Sequence, residues 1–434
     1  MKTIITQFDI FDYMQIEELG DLERISMCFS QIPMQPLIDA LNKDRKNGRN
    51  DYSNETMVKL LVVKKICQFD TVEKLRRELL RNPTLRRLCG LKDEDYTYGK
   101  KKLVPNAGVF SLFYRRLTKH QELLDDIFSS LVEDMYDSIE GFGEHVAGDG
   151  KYLDSYAKND HHKNCCDGRC DSEAAYSIKE YHTKDKRGKV HVKKETHYGY
   201  REHVIVDTKT ELPICFSVTR ANIDEKKAMK EMLAQMKEER VSIIKYLMLD
   251  RGYDSKDMLE AVRKKDIKPI IDNRIMRKGD KTIQYKDTKI WYTESGECYY
   301  LDYGEDESES EKTDEATGLP KYFRVMKYEG YDKKRKSLRY SYKGAVYRVK
   351  ISYDPRIFNE VARNSKKFKR LYNERTAVER YNGRIDRDYG METHNIRGLK
   401  KMKIEISLIN IIMLALAKAH IAKGQRNYAS MMKF

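Results

Sequence analysis

The sequence predicts a mixed α/β protein with a helical N-terminal domain, a central α/β domain and a β-rich insertion. Residues 1–140 carry apolar residues at helical spacing, whereas residues 144–271 alternate strand-like and helical segments. Residues 274–354 are rich in tyrosine and have the pattern of short strands and turns. A chain of 434 residues is long enough for two or three domains. We therefore predict domains at 1–140, at 141–273 together with 355–434, and at 274–354.

The N-terminal 140 residues predict a series of helices. Asn54–Phe69 has apolar residues at helical spacing with lysines between them, which indicates an amphipathic helix. Asp70 and Thr71 offer a cap for a second helix, and Pro83 begins a short third one. Between Lys43 and Arg87 there are 13 basic and 6 acidic residues. The region is either a DNA-binding domain or a helical scaffold.

The central region predicts a sheet that brings two aspartates together. Glu144–Gly148 has the pattern of a strand that ends at Asp149, and Ile243–Leu249 that of a buried strand that leads to Asp250. A hairpin is predicted between them, within residues 198–219. The order strand, hairpin, helix, strand, helix is that of a ribonuclease H-like domain. Its first and fourth strands are neighbours, so we expect the two aspartates to be close.

A third carboxylate is predicted on a helix over Ser365–Arg387. Tyr372, Arg375 and Glu379 are spaced by three and four residues, so they share one helix face. Two aspartates and one glutamate supply the hard oxygen ligands that divalent metal ions prefer. Each residue also has a simpler interpretation, because strand-end aspartates often cap helices and Glu379 could form a salt bridge with Arg375.

Charge and hydropathy limit the partners and the compartment. The chain has 84 Lys and Arg against 69 Asp and Glu, which favours a polyanionic partner. Between Arg363 and Lys403 there are 13 basic and 5 acidic residues, either a solvated helix face or a binding surface. No apolar run predicts a membrane span, and residues 1–19 are unlike a signal peptide. We expect a cytoplasmic protein with reduced cysteines, and a buried helix over Ile404–Ala417.

These motifs resemble those of DDE transposases of bacterial insertion sequences, in the group marked by Tyr-x2-Arg-x3-Glu-x6-Lys. Tyr372, Arg375 and Glu379 match the first three places, and the fourth is Asp386 instead of lysine. The stretch Asp-Arg-Gly-Tyr-Asp-Ser at 250–255 is also similar to the family. The nearest basic residues to Asp386 are candidates for the phosphate contact of the missing lysine: Arg384 and Arg387.

The resemblance implies an enzyme that cuts and joins DNA. Asp149, Asp250 and Glu379 would hold two Mg2+ ions, for which Mn2+ substitutes. The N-terminal domain would bind the terminal inverted repeats of the element, and the 3′-hydroxyl ends would be joined to double-stranded target DNA. A homodimer on DNA, associated with the bacterial nucleoid, is expected. The implied DNA-binding residues are Tyr372, Arg375, Arg384, Arg387, Arg251 and Trp291.

Three features leave alternatives open. The polar segment 154–196 is predicted to be irregular, and its Cys165, Cys166 and Cys170 either bind zinc with nearby histidines or form a surface loop of reduced thiols. Trp291 either stacks on a base or packs within the insertion. The acidic run at 304–311 predicts a solvated loop. The function also has two rivals, a domesticated DNA-binding descendant and a nuclease of the same fold.

Overall fold

The computed structural model describes residues 22–45, 51–91, 103–157, 170–184, 190–273, 282–303 and 319–424. Helices dominate its first part, as predicted. Side-chain caps begin several of them, and Thr71, for example, accepts a hydrogen bond from the backbone of Lys74, which confirms the predicted cap. In the described part of this region the helices are α1 Glu23–Gln31, α2 Gln35–Lys43, α3 Asn54–Ile66, α4 Val72–Arg81, α5 Pro83–Leu88, α6 Ala107–Leu117 and α7 Gln121–Ser138.

Helix α3 differs from the amphipathic prediction because it is buried on almost all sides. Even Lys64 and Lys65 are about as buried as its leucines, with 5% and 4% of their surface exposed. Both ammonium groups form ion pairs with Glu405, a residue of the C-terminal helix. Two of the three lysines in the pattern are therefore internal charges, held by a carboxylate that is distant in sequence.

A six-stranded sheet follows the helices. Its strand order is β2-β3-β1-β5-β6, with β4 paired to β3. The pairs β1–β5 and β5–β6 are parallel, whereas β1–β3, β2–β3 and β3–β4 are antiparallel. The predicted hairpin is confirmed as β3 and β4. The strands are β1 His145–Asp154, β2 Ala175–Lys184, β3 Val190–Asp207, β4 Pro213–Arg220, β5 Tyr246–Leu249 and β6 Lys268–Ile271. The helices between them are α8 Glu225–Gln235, α9 Glu238–Val241 and α10 Lys256–Lys264.

The prediction of an irregular segment at 154–196 was wrong. Strand β2 lies within it, and β3 begins eight residues before the predicted hairpin strand at 198. The two strands pair from Ala175 opposite Gly199 to Lys184 opposite Val190. Several of their side chains are exposed, including Ile178 at 61% and Val192 at 49%. At 175–180 and 191–198, where side-chain burial is described, none of the side chains is buried, so the alternation that marks a half-buried strand is missing there.

The insertion forms two small sheets, as the tyrosine-rich pattern predicts. One has the strand order β10-β9-β8-β7 and the other β11-β12-β13. Their apolar side chains form a core separate from the main one, centred on Tyr340, Val349 and Phe358. The strands are β7 Thr282–Gln284, β8 Ile290–Thr293, β9 Cys298–Leu301, β10 Phe323–Val325, β11 Lys327–Asp332, β12 Ser337–Tyr342 and β13 Ala345–Lys350.

Three helices complete the described chain: α11 Lys366–Asn373, α12 Thr376–Arg387 and α13 Leu399–Ala422. Helix α13 is long and apolar enough to cross a membrane, but 83% of its most apolar window is buried inside the protein. It packs against β4 of the sheet and against α1, α3 and α7 of the helical part. The predicted buried helix is confirmed, and it joins the two parts of the main core.

Candidate active site

The two aspartates lie side by side because β1 and β5 are parallel neighbours. The register pairs Gly148 with Leu249, and Asp149 and Asp250 are the next residues on the two strands. The prediction that β1 ends at Asp149 was wrong, since the strand continues to Asp154. Its outer half keeps an antiparallel ladder with β3 on one side, whereas β5 has ended on the other. Asp149 therefore lies at the point where one side of β1 becomes open.

The sequence around Asp149 suits this position. A Cβ on Gly148 would approach Met229 Cε to 2.7 Å and Leu249 Cδ2 to 2.8 Å, so these two side chains would have to shift if residue 148 were not glycine. Burial raises the pKa of Asp149, the backbone of Gly150 lowers it, and the charge of Asp250 raises it again. Two neighbouring carboxylates that repel each other in this way favour a cation between them.

The predicted helix over Ser365–Arg387 is two helices with a tight joint. At the joint, the backbone N–H groups of Glu374, Arg375, Ala377 and Val378 bond to carbonyl groups three residues earlier, which winds the chain more tightly than an α-helix. Glu374 is fixed there by His145, whose Nδ1 lies 2.8 Å from its Oε2. The helical spacing of the apolar and polar residues continues across the joint, so the sequence pattern did not predict the joint.

Tyr372, Arg375 and Glu379 remain neighbours across this joint. Arg375 donates a hydrogen bond of 2.8 Å to Glu379 Oε1, and its guanidinium lies 5.6 Å from the centre of the Tyr372 ring. Burial opposes the charge of Arg375, but Glu379 and Asp250 raise its pKa. Burial also raises the pKa of Tyr372, and Asp250 adds to the effect. The joint therefore faces the end of β5.

Helix α12 is held along β1 by side chains that the sequence did not identify. Asn382 donates a hydrogen bond of 3.1 Å to Asp149 Oδ2, and Lys151 donates one of 2.6 Å to Asp386 Oδ2. Deeper in the protein, Tyr381 donates to Glu202 on β3 at 2.7 Å. Asn382 is three residues after Glu379, and that spacing on one helix face could have suggested it.

The other predicted DNA-binding residues have different surroundings. Arg384 is buried and forms an ion pair with Glu211 in the β3–β4 turn, so its guanidinium is directed away from Asp149. Arg387 donates to the carbonyl of Gly383 at 3.4 Å. Arg251 is exposed and donates at 2.6 Å to Asp272.

Trp291 lies in β8 of the insertion. It packs edge-on against Phe323, with ring centres 5.5 Å apart. This contact agrees with the packing alternative, and the base-stacking alternative remains a prediction. Of the cysteine group, Cys165 and Cys166 lie outside the described residues, as does the acidic run at 304–311. Cys170 is disulfide-bonded, contrary to the expectation of reduced thiols.

The donor set suits a divalent cation only in part. Asp149 and Asp250 offer hard oxygen ligands next to each other, and their mutual repulsion would be relieved by a cation. Among the described residues, no three Asp, Glu, His or Cys side chains are grouped closely enough to hold a metal ion. The Glu379 carboxylate is instead paired with Arg375. Its side chain is 53% exposed and therefore has room to turn.

Comparisons with known proteins agree with this arrangement. Residues 177–415 match the family described as Transposase DDE domain, and residues 15–116 match Transposase domain (DUF772). The first match includes Asp250 and Glu379 and begins after Asp149. No curated protein matches the chain. The first match covers more than half of the chain, so the chain belongs to the Transposase DDE domain family.

Proposed function

We propose that this protein is the transposase of a bacterial insertion sequence. It binds the terminal inverted repeats of its element, cuts DNA in a metal-dependent reaction and joins the 3′ ends to target DNA. The catalytic domain, residues 141–273 and 355–434, has the ribonuclease H-like fold, and 274–354 is its insertion. The observation that carries the proposal is the parallel register of β1 and β5, which sets Asp149 beside Asp250 under the joint that holds Arg375 and Glu379.

Asp149, Asp250 and Glu379 are the proposed ligands of Mg2+ or Mn2+. When bound, these ions would lower the pKa of an attacking water or 3′-hydroxyl and neutralise charge on the leaving oxygen. Asn382 keeps the Asp149 carboxylate oriented through its hydrogen bond of 3.1 Å. Arg375 holds Glu379 before the site is loaded, and its positive charge next to Asp250 suits a phosphate of the DNA backbone.

DNA binding beyond the carboxylates is proposed for several surfaces. The N-terminal domain, residues 1–140, would recognise the terminal repeats, in agreement with its match to a transposase domain and with the basic stretch from Lys43 to Arg87. Tyr372, Arg251, Arg387 and Trp291 would contact DNA nearer to the cut. Two copies of the chain would act on the two ends of the element, in the bacterial cytoplasm at the nucleoid.

The test is cleavage and strand joining of labelled duplex DNA that carries the repeats flanking the gene. The wild type and Glu379→Gln are compared with Mg2+, with Mn2+ and without metal. We expect metal-dependent products from the wild type and a loss of at least ~1,000-fold in Glu379→Gln, with DNA binding retained. Glu392→Gln, an exposed glutamate beyond α12, is the matched control and should remain active.

The two rival functions predict other outcomes. A nuclease of the same fold would cut without strand joining and without preference for the repeats. A domesticated DNA-binding protein would bind the repeats tightly and cut them in neither variant. Full activity of Glu379→Gln would remove Glu379 from the proposed metal ligands.

A further inference from the structure

The helix face that carries Glu379 lacks a cation at its far end. Asp386 stands seven residues after Glu379, where the resembling transposases have lysine. Seven residues are close to two helical turns, so Asp386 lies on the same face of α12 as Glu379. A carboxylate at this place repels a DNA phosphate. On this face of α12, a cation at this end of the site therefore has to come from another element.

Strand β1 supplies one. Lys151 Nζ lies 2.6 Å from Asp386 Oδ2. Its ammonium group therefore touches the carboxylate of the residue that stands in place of the motif lysine. One helical turn earlier, Asn382 contacts Asp149 at 3.1 Å. These two successive contacts align α12 with β1. They also place the ammonium group of Lys151 beside residue 386, where the motif has lysine and this chain has aspartate.

The same strand carries the first aspartate. Asp149 and Lys151 are two residues apart, so both side chains project from one face of β1, with Cα atoms about 7 Å apart. An extended lysine side chain is roughly as long as this separation. A phosphate held at the Asp149 carboxylate through a metal ion would therefore be within reach of the ammonium group.

Lys151 can bind a phosphate while it is paired with Asp386. Its side chain is 17% exposed, and that of Asp386 is 29% exposed. Among the described residues, the hydrogen bond recorded for Lys151 is the one to Asp386, and an ammonium group has three donors. By contrast, Arg384 is buried in its pair with Glu211. Arg387 is about 80° from the face of Glu379 on the helix.

We propose that Lys151 binds the DNA phosphate next to the cut, in place of the missing helix lysine, and that Asp386 positions it. This inference rests on the proposed function and adds a substrate-binding residue to the same site. It accounts for the acidic residue at the helix position of the motif lysine together with its ion pair to Lys151. Lys151 on β1 and Asp386 on α12 carry the same net charge as a lysine on α12 paired with an aspartate on β1.

The test compares Lys151→Gln with Asp386→Asn, because both break the same ion pair but only one removes the cation. Strand joining is measured on the duplex with the flanking repeats, and binding to that duplex is measured with Ca2+ in place of Mg2+ over a range of salt concentrations. Lys418→Gln is the matched control, since Lys418 forms a Lys–Asp pair of 2.7 Å with Asp134. Unfolding of each variant is followed in parallel.

We expect Lys151→Gln to lose at least ~10-fold in strand joining, as for one charged hydrogen bond. Its slope of log affinity against log salt should fall by about 0.9, the value for one phosphate contact. Asp386→Asn should keep the slope, because the cation remains, and should lose less strand joining than Lys151→Gln, whereas Lys418→Gln should change neither. The exchange Lys151→Asp with Asp386→Lys should recover activity relative to Lys151→Asp alone, because it returns the cation to the helix.

Equal losses of activity and stability in Lys151→Gln and Asp386→Asn, with the salt slope unchanged in both, would show that the pair only holds α12 to β1. That result would overturn the role of Lys151 and leave the proposed function standing. A wild type that neither binds nor cuts the duplex would contradict the proposed function itself.

Discussion

Glu202 on β3 should make the stability of the protein depend on pH. Its side chain is fully buried, with 0% exposed, and it stands opposite Lys151 in the β1–β3 register. Burial raises the pKa of Glu202 to about 7, against the hydrogen bond from Tyr381 and the charge of Lys151, which lower it. The informative change is Glu202→Gln, since glutamine keeps the shape and still accepts the hydrogen bond from Tyr381.

The direction of the effect follows from proton binding. The folded protein keeps the proton of Glu202 up to about pH 7, whereas the unfolded chain loses it near the ordinary pKa of 4.5. Between these values the folded state binds more protons, so the free energy of unfolding falls as pH rises. At about 1.4 kcal/mol for each pKa unit, the wild type should lose about 3 kcal/mol across this window. Glu202→Gln has no such proton and should not.

Urea unfolding followed by far-UV circular dichroism, at steps from pH 4.5 to pH 8, measures this difference. The stability of Glu202→Gln relative to the wild type should rise by about 3 kcal/mol across the series. Tyr381→Phe provides a second check, because loss of the hydrogen bond should move the wild-type transition to higher pH. If Glu202→Gln and the wild type change in parallel throughout, the reasoning about a buried protonated acid is wrong.

Three further predictions concern charges at the site and in the core. Mn2+ should raise the melting temperature of the wild type and not that of Asp250→Asn, as thermal shift assays would show, and equal shifts would place the ion elsewhere. Arg384→Met should cost about 2 kcal/mol in urea unfolding because it removes a partner of buried Glu211, whereas Arg387→Met should weaken DNA binding without loss of stability. Burial opposes the charge of Glu405, but two lysines lower its pKa to about 2. Glu405→Gln should therefore cost about 3 kcal/mol or more, and a cost below about 1 kcal/mol would contradict this ion-pair network.

Features encoded by local periodicity could be predicted from the sequence. The strand before Asp250 is a short apolar run, and the hairpin of β3 and β4 has a clear turn. Their order was enough to expect β1 and β5 as neighbours. The outer part of β2 and β3 could not be predicted, because a ribbon exposed on both faces has no alternation of burial. The joint between α11 and α12 could not be predicted, because the helical spacing of the sequence pattern continues through it without a break.

Contacts between distant residues were the other limit. Asp386 was read as a departure from a motif, and its partner Lys151 is 235 positions away in sequence. Arg384 was a candidate for the missing cation because of its charge, and only the fold shows that Glu211 binds it. A sequence pattern specifies the side of an element on which a residue lies. It does not specify which charged residue lies opposite, since that depends on how the elements pack.

The position of Glu379 is determined by this packing more than by its own contacts. Tyr381, two residues later, hydrogen-bonds at 2.7 Å both to Glu202 on β3 and to Asn410 on α13. Helix α13 also carries Glu405, which accepts a hydrogen bond of 2.5 Å from Tyr114 on α6. One buried helix thus contacts both the glutamate helix and the N-terminal domain. Because buried polar contacts are costly to break, α13 ties the position of α12 to that of the N-terminal helices.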